Sequence, residues 1–215
     1  MIHPDSVITR RGMLLFAATL PVSAGSSEFW NRKYPSQWSA DEVDRLITKS
    51  PWAKEIAAPA VGRSRGASYH GLVRWESAKP ILEAMKMPLP GEFSNHYVIS
   101  VSGIPMSSLR PATSVEGGTD ADARARQREV EEALDKLRGL TYLELKGASP
   151  VQPGIVQETP LGIGETRTVL FGFLKTLLQV SPDDQEIGFT TQMGTIAVKA
   201  KFNLREMIYR GEVAI

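Results

Sequence analysis

The sequence predicts an α+β domain: a mixed or mainly antiparallel sheet with helices on one face and a C-terminal β-meander. Three observations lead there. Residues 183–215 alternate apolar and polar side chains around a glycine turn, the period-two signature of paired strands. Residues 68–101 read as a strand, a helix and a strand. Helical periodicity, with start and stop signals, recurs over residues 40–49, 77–87 and 121–138.

The chain opens with Thr-Arg-Arg-Gly-Met-Leu-Leu at residues 9–15, then an apolar run to Leu20 and Pro-Val-Ser-Ala ending at Ala24. A basic start, a short apolar stretch and a small-x-small end form the layout of a secretory signal peptide, with cleavage expected after Ala24. The run from Met13 to Leu20 is far short of the roughly 20 residues that cross a bilayer. The pair Arg10-Arg11 ahead of the apolar run resembles the twin-arginine export signal. Pro21 and Gly25-Ser26-Ser27 oppose a helix continuing into the body of the protein. The expected organisation is a signal peptide over 1–24 and one α+β domain over 25–215, with a mobile loop at 106–122. The expected location is periplasmic or secreted, and the partner this implies is the export machinery.

Composition narrows the rest. With 42% apolar and 23% charged residues the chain can build a core. Its net charge is +1, and without residues 1–24, which hold Asp5, Arg10 and Arg11, 23 basic residues face 23 acidic ones. Nucleic acid, which selects a clustered basic excess, is not an expected partner. The absence of cysteine excludes disulfides, thiolate nucleophiles and cysteine-zinc sites.

From Glu28 onward, Ser39 and Glu42 form a capping box ahead of a helix with Val43, Leu46 and Ile47 on one face, ended by Pro51. Residues 57–67 read as a loop. A strand over 68–75, a helix over 77–87 with Pro80 in its first turn, and a strand over 97–101 follow. If those strands are parallel, their crossover is right-handed. The helix over 121–138 carries only a narrow apolar stripe, Val130, Leu134 and Leu137, beneath a solvated face of mixed charge. A short strand over 140–146, a proline-bearing loop over 147–160 and a strand over 166–175 lead to the meander. There Met193-Gly194 is the expected hairpin turn, with Thr191 facing Ile196, Phe189 facing Val198 and Glu186 facing Lys201. A helical turn at 203–206 and a closing strand over 207–215 complete the chain.

Candidate chemistry is sparse. Trp30, Trp38 and Trp52 bracket one helix and suit either an aromatic platform for a ligand or large side chains pinning that helix to the sheet. His70 and His96 stand near the starts of two strands, neighbours if those strands run parallel; alone they make no metal site. Arg74 and Glu76, two apart on a strand, share a face and form either an ion pair or a carboxylate–arginine site. Asp183-Asp184 read as a turn. No serine sits in a nucleophile motif, and Leu161-Gly162-Ile163-Gly164-Glu165 lacks the third glycine of a dinucleotide loop. No catalytic residue, metal or cofactor is called for.

The segments Phe29-Trp30, Trp38-Ser39-x-x-Glu42-Val43, Ser50-Pro51-Trp52-Ala53-Lys54 and Val73-Arg74-Trp75-Glu76-Ser77-Ala78, with the Phe202–Tyr209 stretch, resemble those of a group of uncharacterised exported bacterial proteins. The resemblance implies secretion and carries no activity. The expected function is therefore an exported, non-enzymatic protein that binds a ligand or partner in the cell envelope. The alternative is an exported hydrolase or lyase using a carboxylate/Arg/His cluster. Placing His70, His96, Arg74 and Glu76 in one pocket favours the enzyme; a concave surface lined by the tryptophans favours binding.

Overall fold

The structure is a computed structural model that describes residues 28–59, 68–105, 120–159, 168–181 and 183–215. Arg10, Arg11 and Ala24 of the expected signal, residues 106–119 of the expected loop, and Leu161 to Glu165 lie outside the described residues.

In chain order the elements are α1 (Phe29–Arg32), α2 (Ala40–Thr48), β1 (Ala53–Pro59), β2 (Ser68–Trp75), α3 (Lys79–Met85), β3 (His96–Ser102) and α4 (Asp120–Gly139). They continue with β4 (Tyr142–Leu145), β5 (Ile155–Thr159), β6 (Thr168–Leu174), β7 (Glu186–Met193), β8 (Ile196–Asn203), β9 (Ile208–Tyr209) and β10 (Glu212–Val213). The α+β class, the antiparallel pairing and the C-terminal meander are as expected. The strands form two main sheets: a five-stranded one ordered β1-β2-β3-β6-β5 and a three-stranded one ordered β4-β7-β8. The pair β9-β10 stands apart.

Local chemistry explains the helix ends. The Ser39 hydroxyl accepts from the Glu42 N–H at 3.2 Å and the Glu42 carboxylate accepts from the Ser39 N–H at 2.9 Å, so α2 opens on the predicted capping box. Helix α3 starts at Lys79, two residues later than expected. Glu76 N–H still bonds Val98 O at 2.8 Å and the Val98 N–H bonds the Ser77 hydroxyl at 3.0 Å, so Glu76 and Ser77 extend the sheet. In α4, residues 120–122 are already helical rather than loop. Leu137 anchors that helix in the core, while its first ten residues are exposed.

Strands β2 and β3 are adjacent but antiparallel, with Arg74 opposite Ser100 and Trp75 opposite Ile99. The question of a right-handed crossover therefore does not arise. Two strands went unread. β1 ran into the expected loop over 57–67; it is an edge strand paired only to β2, and an edge tolerates its Pro59. β5 lies in the expected loop over 147–160, between Pro153 and Pro160.

The meander pairs two residues out of the expected register. Met193 faces Ile196, Thr191 faces Val198 and Phe189 faces Ala200. The loop is Gly194-Thr195 rather than Met193-Gly194. With Gly194 at φ +63° and first in the loop, this is the glycine position of a type II′ turn. A shift of two keeps every side chain on its face, so the apolar set still points inward. The Glu186–Lys201 pair forms at 2.7 Å, diagonally, because Glu186 stands opposite Asn203 and Lys201 opposite Gly188.

The two sheets face each other across an apolar layer. Phe171 and Phe173 meet Phe189 at ring distances of 5.4 and 6.3 Å, and Trp75 meets Phe202 at 5.4 Å. Each such buried side chain is worth roughly 1.5–3 kcal/mol of transfer free energy. β1 lies beside β8 on one flank, α4 touches β5 and β7 on the other, and α2 packs on β1, β2 and α3.

The expected closing strand over 207–215 is broken. Arg210 at φ 52° and Gly211 at φ 90° make a type I′ turn, folding the segment into the β9-β10 ribbon. Side chains hold the ribbon down. Asn31 donates to Ile208 O at 3.2 Å and accepts from Arg210 N–H at 2.7 Å, and the Trp52 indole N–H donates to Ala214 O at 2.6 Å.

Candidate functional site

Each candidate binding residue has a definite place, and most are structural. Trp30 and Trp52 are buried and meet edge to face at 5.4 Å; half-buried Trp38 meets Phe29 at 5.8 Å. They form no exposed platform. They seat α1 and α2 on the sheet, and an edge of Trp30 reaches the cleft described below. The histidines do not come together. His70 is exposed on β2, and His96 is half-buried beside Phe93 at the far end of β3. In the antiparallel register they lie eight residues apart along the strands, roughly 26 Å at about 3.3 Å per residue. The expectation of neighbouring histidines fails because it required parallel strands. Asp183 and Asp184 form the expected turn, with Asp184 accepting from Ser181 N–H at 2.7 Å.

Arg74 and Glu76 do come together. They point to the sheet face away from the second sheet, beneath α3. Glu76 Oε1 accepts from Arg74 Nε at 2.9 Å and from the Ser100 hydroxyl at 2.5 Å, and lies 2.8 Å from Arg74 Nη2. Arg74 Nη1 also donates to Ile47 O at 3.4 Å, in the last turn of α2, where a cation suits the helix dipole. All three side chains are buried. Ser100 was missed: it stands opposite Arg74 only once β2 and β3 are paired, and no local pattern announces it. Beside the cluster is a cavity of about 30 Å³, closed by Ile81, Leu82 and Met85 of α3 and by Met87, Pro88 and Leu89. The buried Thr168 hydroxyl borders it and has no partner among the described residues. That volume suits about one water molecule and no substrate.

A larger concavity lies elsewhere. An open cleft of about 780 Å³ runs between the end of α2, the start of β1 and the turn after β8. Its floor and walls include Trp30, Thr48, Ser50, Pro51 and Ala53. Four cations, Arg45, Lys49, Lys54 and Arg205, face three carboxylates, Glu28, Glu55 and Glu206. Arg45 pairs with Glu28 at 2.6 Å and Lys49 with Glu55 at 3.6 Å; Glu206 accepts from the Asn203 amide at 2.9 Å. The cleft is assembled from segments some 150 residues apart in sequence, from Ser50 to Arg205, so nothing local marked it. Ser50-Pro51-Trp52-Ala53-Lys54, the run singled out in the sequence, forms much of its wall.

One more ionisable pair is half-hidden. The Tyr209 hydroxyl donates to the Glu83 carboxylate, joining the ribbon to α3. Burial first, and the adjacent carboxylate second, push the phenol well above its ordinary range. Arg210 lies over the Tyr209 ring at 5.1 Å and over exposed Tyr34 at 5.3 Å.

Among the described residues no three His, Asp or Glu side chains gather in a metal-binding arrangement, and no helix is long and apolar enough to cross a membrane. No protein-family model matches the chain, and neither a curated protein nor a solved structure is significantly similar to it.

Proposed function

We propose that this is an exported, non-enzymatic protein of the cell envelope that binds a ligand in the open cleft at the end of α2. The observation that carries the reading is a contrast of volumes. The cleft, at about 780 Å³, lies within the ordinary range of ligand sites, whereas the cavity beside Arg74 and Glu76 holds about 30 Å³. Export rests on the sequence of residues 9–24, above all Arg10-Arg11 and the small residues ending at Ala24.

The alternative, an exported hydrolase or lyase, has one observation in its favour: a buried arginine, carboxylate and hydroxyl in contact. Two others weaken it. The histidines are absent from that cluster, and α3 with residues 87–89 closes it to anything larger than water.

Two measurements test the proposal. The full chain, expressed in fractionated bacterial cells, is expected outside the cytoplasm with a mature start near Gly25, and retained by an Arg10→Lys/Arg11→Lys variant. Native mass spectrometry of the recovered protein is expected to show a bound small molecule that a cleft-filling Thr48→Trp variant lacks. An uncleaved cytoplasmic protein sinks the export half. A ligand that persists in Thr48→Trp sinks the binding half.

A further inference from the structure

We propose that the ligand of this cleft carries a single anionic group, a carboxylate, sulfonate or phosphate, joined to an apolar body. This rests on the reading of the cleft as the binding site and gives its ligand a chemistry. The carboxylates that line the cleft are each engaged, Glu28 by Arg45, Glu55 by Lys49 and Glu206 by Asn203. Lys54 and Arg205 are not: among the described residues neither side chain has an ion pair or a hydrogen bond. Lys54 is half-buried at the start of β1, and among the described residues its ammonium group has no protein acceptor. An incoming anion supplies that acceptor to both cations, and the Arg205 guanidinium offers a planar fork to a carboxylate or phosphate.

The same inventory limits the charge. Four cations against three carboxylates leave an excess of one, which matches one anionic group. A polyanion, such as an acidic peptide or a nucleic acid strand, meets Glu28, Glu55 and Glu206 at close range and is repelled. The apolar part of the wall, Pro51, Ala53 and the edge of Trp30, is where the body of the ligand lies.

A matched pair of fluorescent probes tests this on the full chain. 1-Anilinonaphthalene-8-sulfonate and N-phenyl-1-naphthylamine share the same rings and differ by the sulfonate. The sulfonate probe is expected to bind about tenfold or more tighter than the neutral one, the scale of a charge-assisted hydrogen bond. A Lys54→Gln/Arg205→Gln variant, its melting curve unchanged because neither side chain has a partner among the described residues, is expected to lose that preference and leave the neutral probe's affinity alone. Thr48→Trp is expected to abolish both. If the two probes bind equally, or the double variant leaves the preference intact, while Thr48→Trp still blocks both, the anion inference is overturned and the cleft reading stands. If neither probe binds, or Thr48→Trp leaves binding unaffected, the cleft reading falls and takes the inference with it.

Discussion

Two ion pairs on strand faces, almost equal in length, have very different surroundings. Arg74–Glu76 at 2.8 Å has side chains only 6% and 10% exposed; Glu186–Lys201 at 2.7 Å has 50% and 75% exposed. Distance alone would rank them together. Coulomb attraction in water is small and screened, while in the interior both the attraction and the cost of stripping water from the ions are large. The buried pair is therefore a commitment of the fold: its value lies less in what the two ions gain together than in what either loses alone. Ser100 and the Ile47 carbonyl complete it, tying β2, β3 and α2 at one point.

The largest expected effect follows from breaking that commitment on one side. Glu76→Ala leaves the Arg74 guanidinium buried without its carboxylate and is expected to cost about 3–5 kcal/mol in urea denaturation. Arg74→Met/Glu76→Leu, which removes both charges and keeps volume, is expected to recover most of that loss. A double variant as damaged as the single one would show that packing, not charge, sets the cost. Ser100→Ala comes next. It removes one donor to the same oxygen and is expected to cost roughly 1.5–3 kcal/mol, the range for hydrogen bonds to charged groups. Wild-type stability in Ser100→Ala would mean that water substitutes for the hydroxyl at Glu76.

Tyr209 and Glu83 lie between the two extremes. Because the folded-state phenol is raised above its ordinary value of 10.0, the folded chain holds that proton more tightly than the unfolded chain. The stability it contributes is fully present below about pH 10 and is lost as pH rises beyond it. Tyr97 shifts in the same direction through burial, opposed by a backbone N–H from Val180, and adds a share of the same loss. Tyr209→Phe is expected to cost about 1 kcal/mol at neutral pH and to flatten, without abolishing, the decline above pH 10. An unaltered alkaline limb in Tyr209→Phe would remove Tyr209 from the account.

The same contrast explains what the sequence made legible. Arg74 and Glu76 were readable as facing residues because a strand has a period of two, whatever its neighbours. Their depth was not, since it depends on α3 and the residues after it folding over that face. Glu186 and Lys201 were matched correctly from a hairpin drawn two residues out of register, because the alternation of faces survives such a slip and long side chains reach diagonally. The turn position was the weak link: Gly194 suits either place in a two-residue loop. β1 escaped because Ala-Lys-Glu-Ile-Ala-Ala-Pro has neither clear alternation nor β-branched density. The histidine pair failed with the strand direction, and the cleft was invisible because Lys54 and Arg205 come to line one cleft only after the whole meander has folded back on β1.

The smallest expected effect belongs to the exposed pair, and it has a definite sign. Glu186 raises the Lys201 ammonium above its ordinary 10.5, first through the hydrogen bond and then through its charge. A raised lysine gives a contribution present below the unfolded value and lost as pH climbs through the folded one. Water surrounds both groups, so Lys201→Met is expected to leave the denaturation midpoint at neutral pH indistinguishable from wild type. What difference exists should fade further in about 1 M salt, where charges are screened beyond roughly 3 Å. A clear loss that persists at high salt would mean that the Lys201 stem packs against β7, and that apolar contact rather than the visible ion pair is what the side chain contributes.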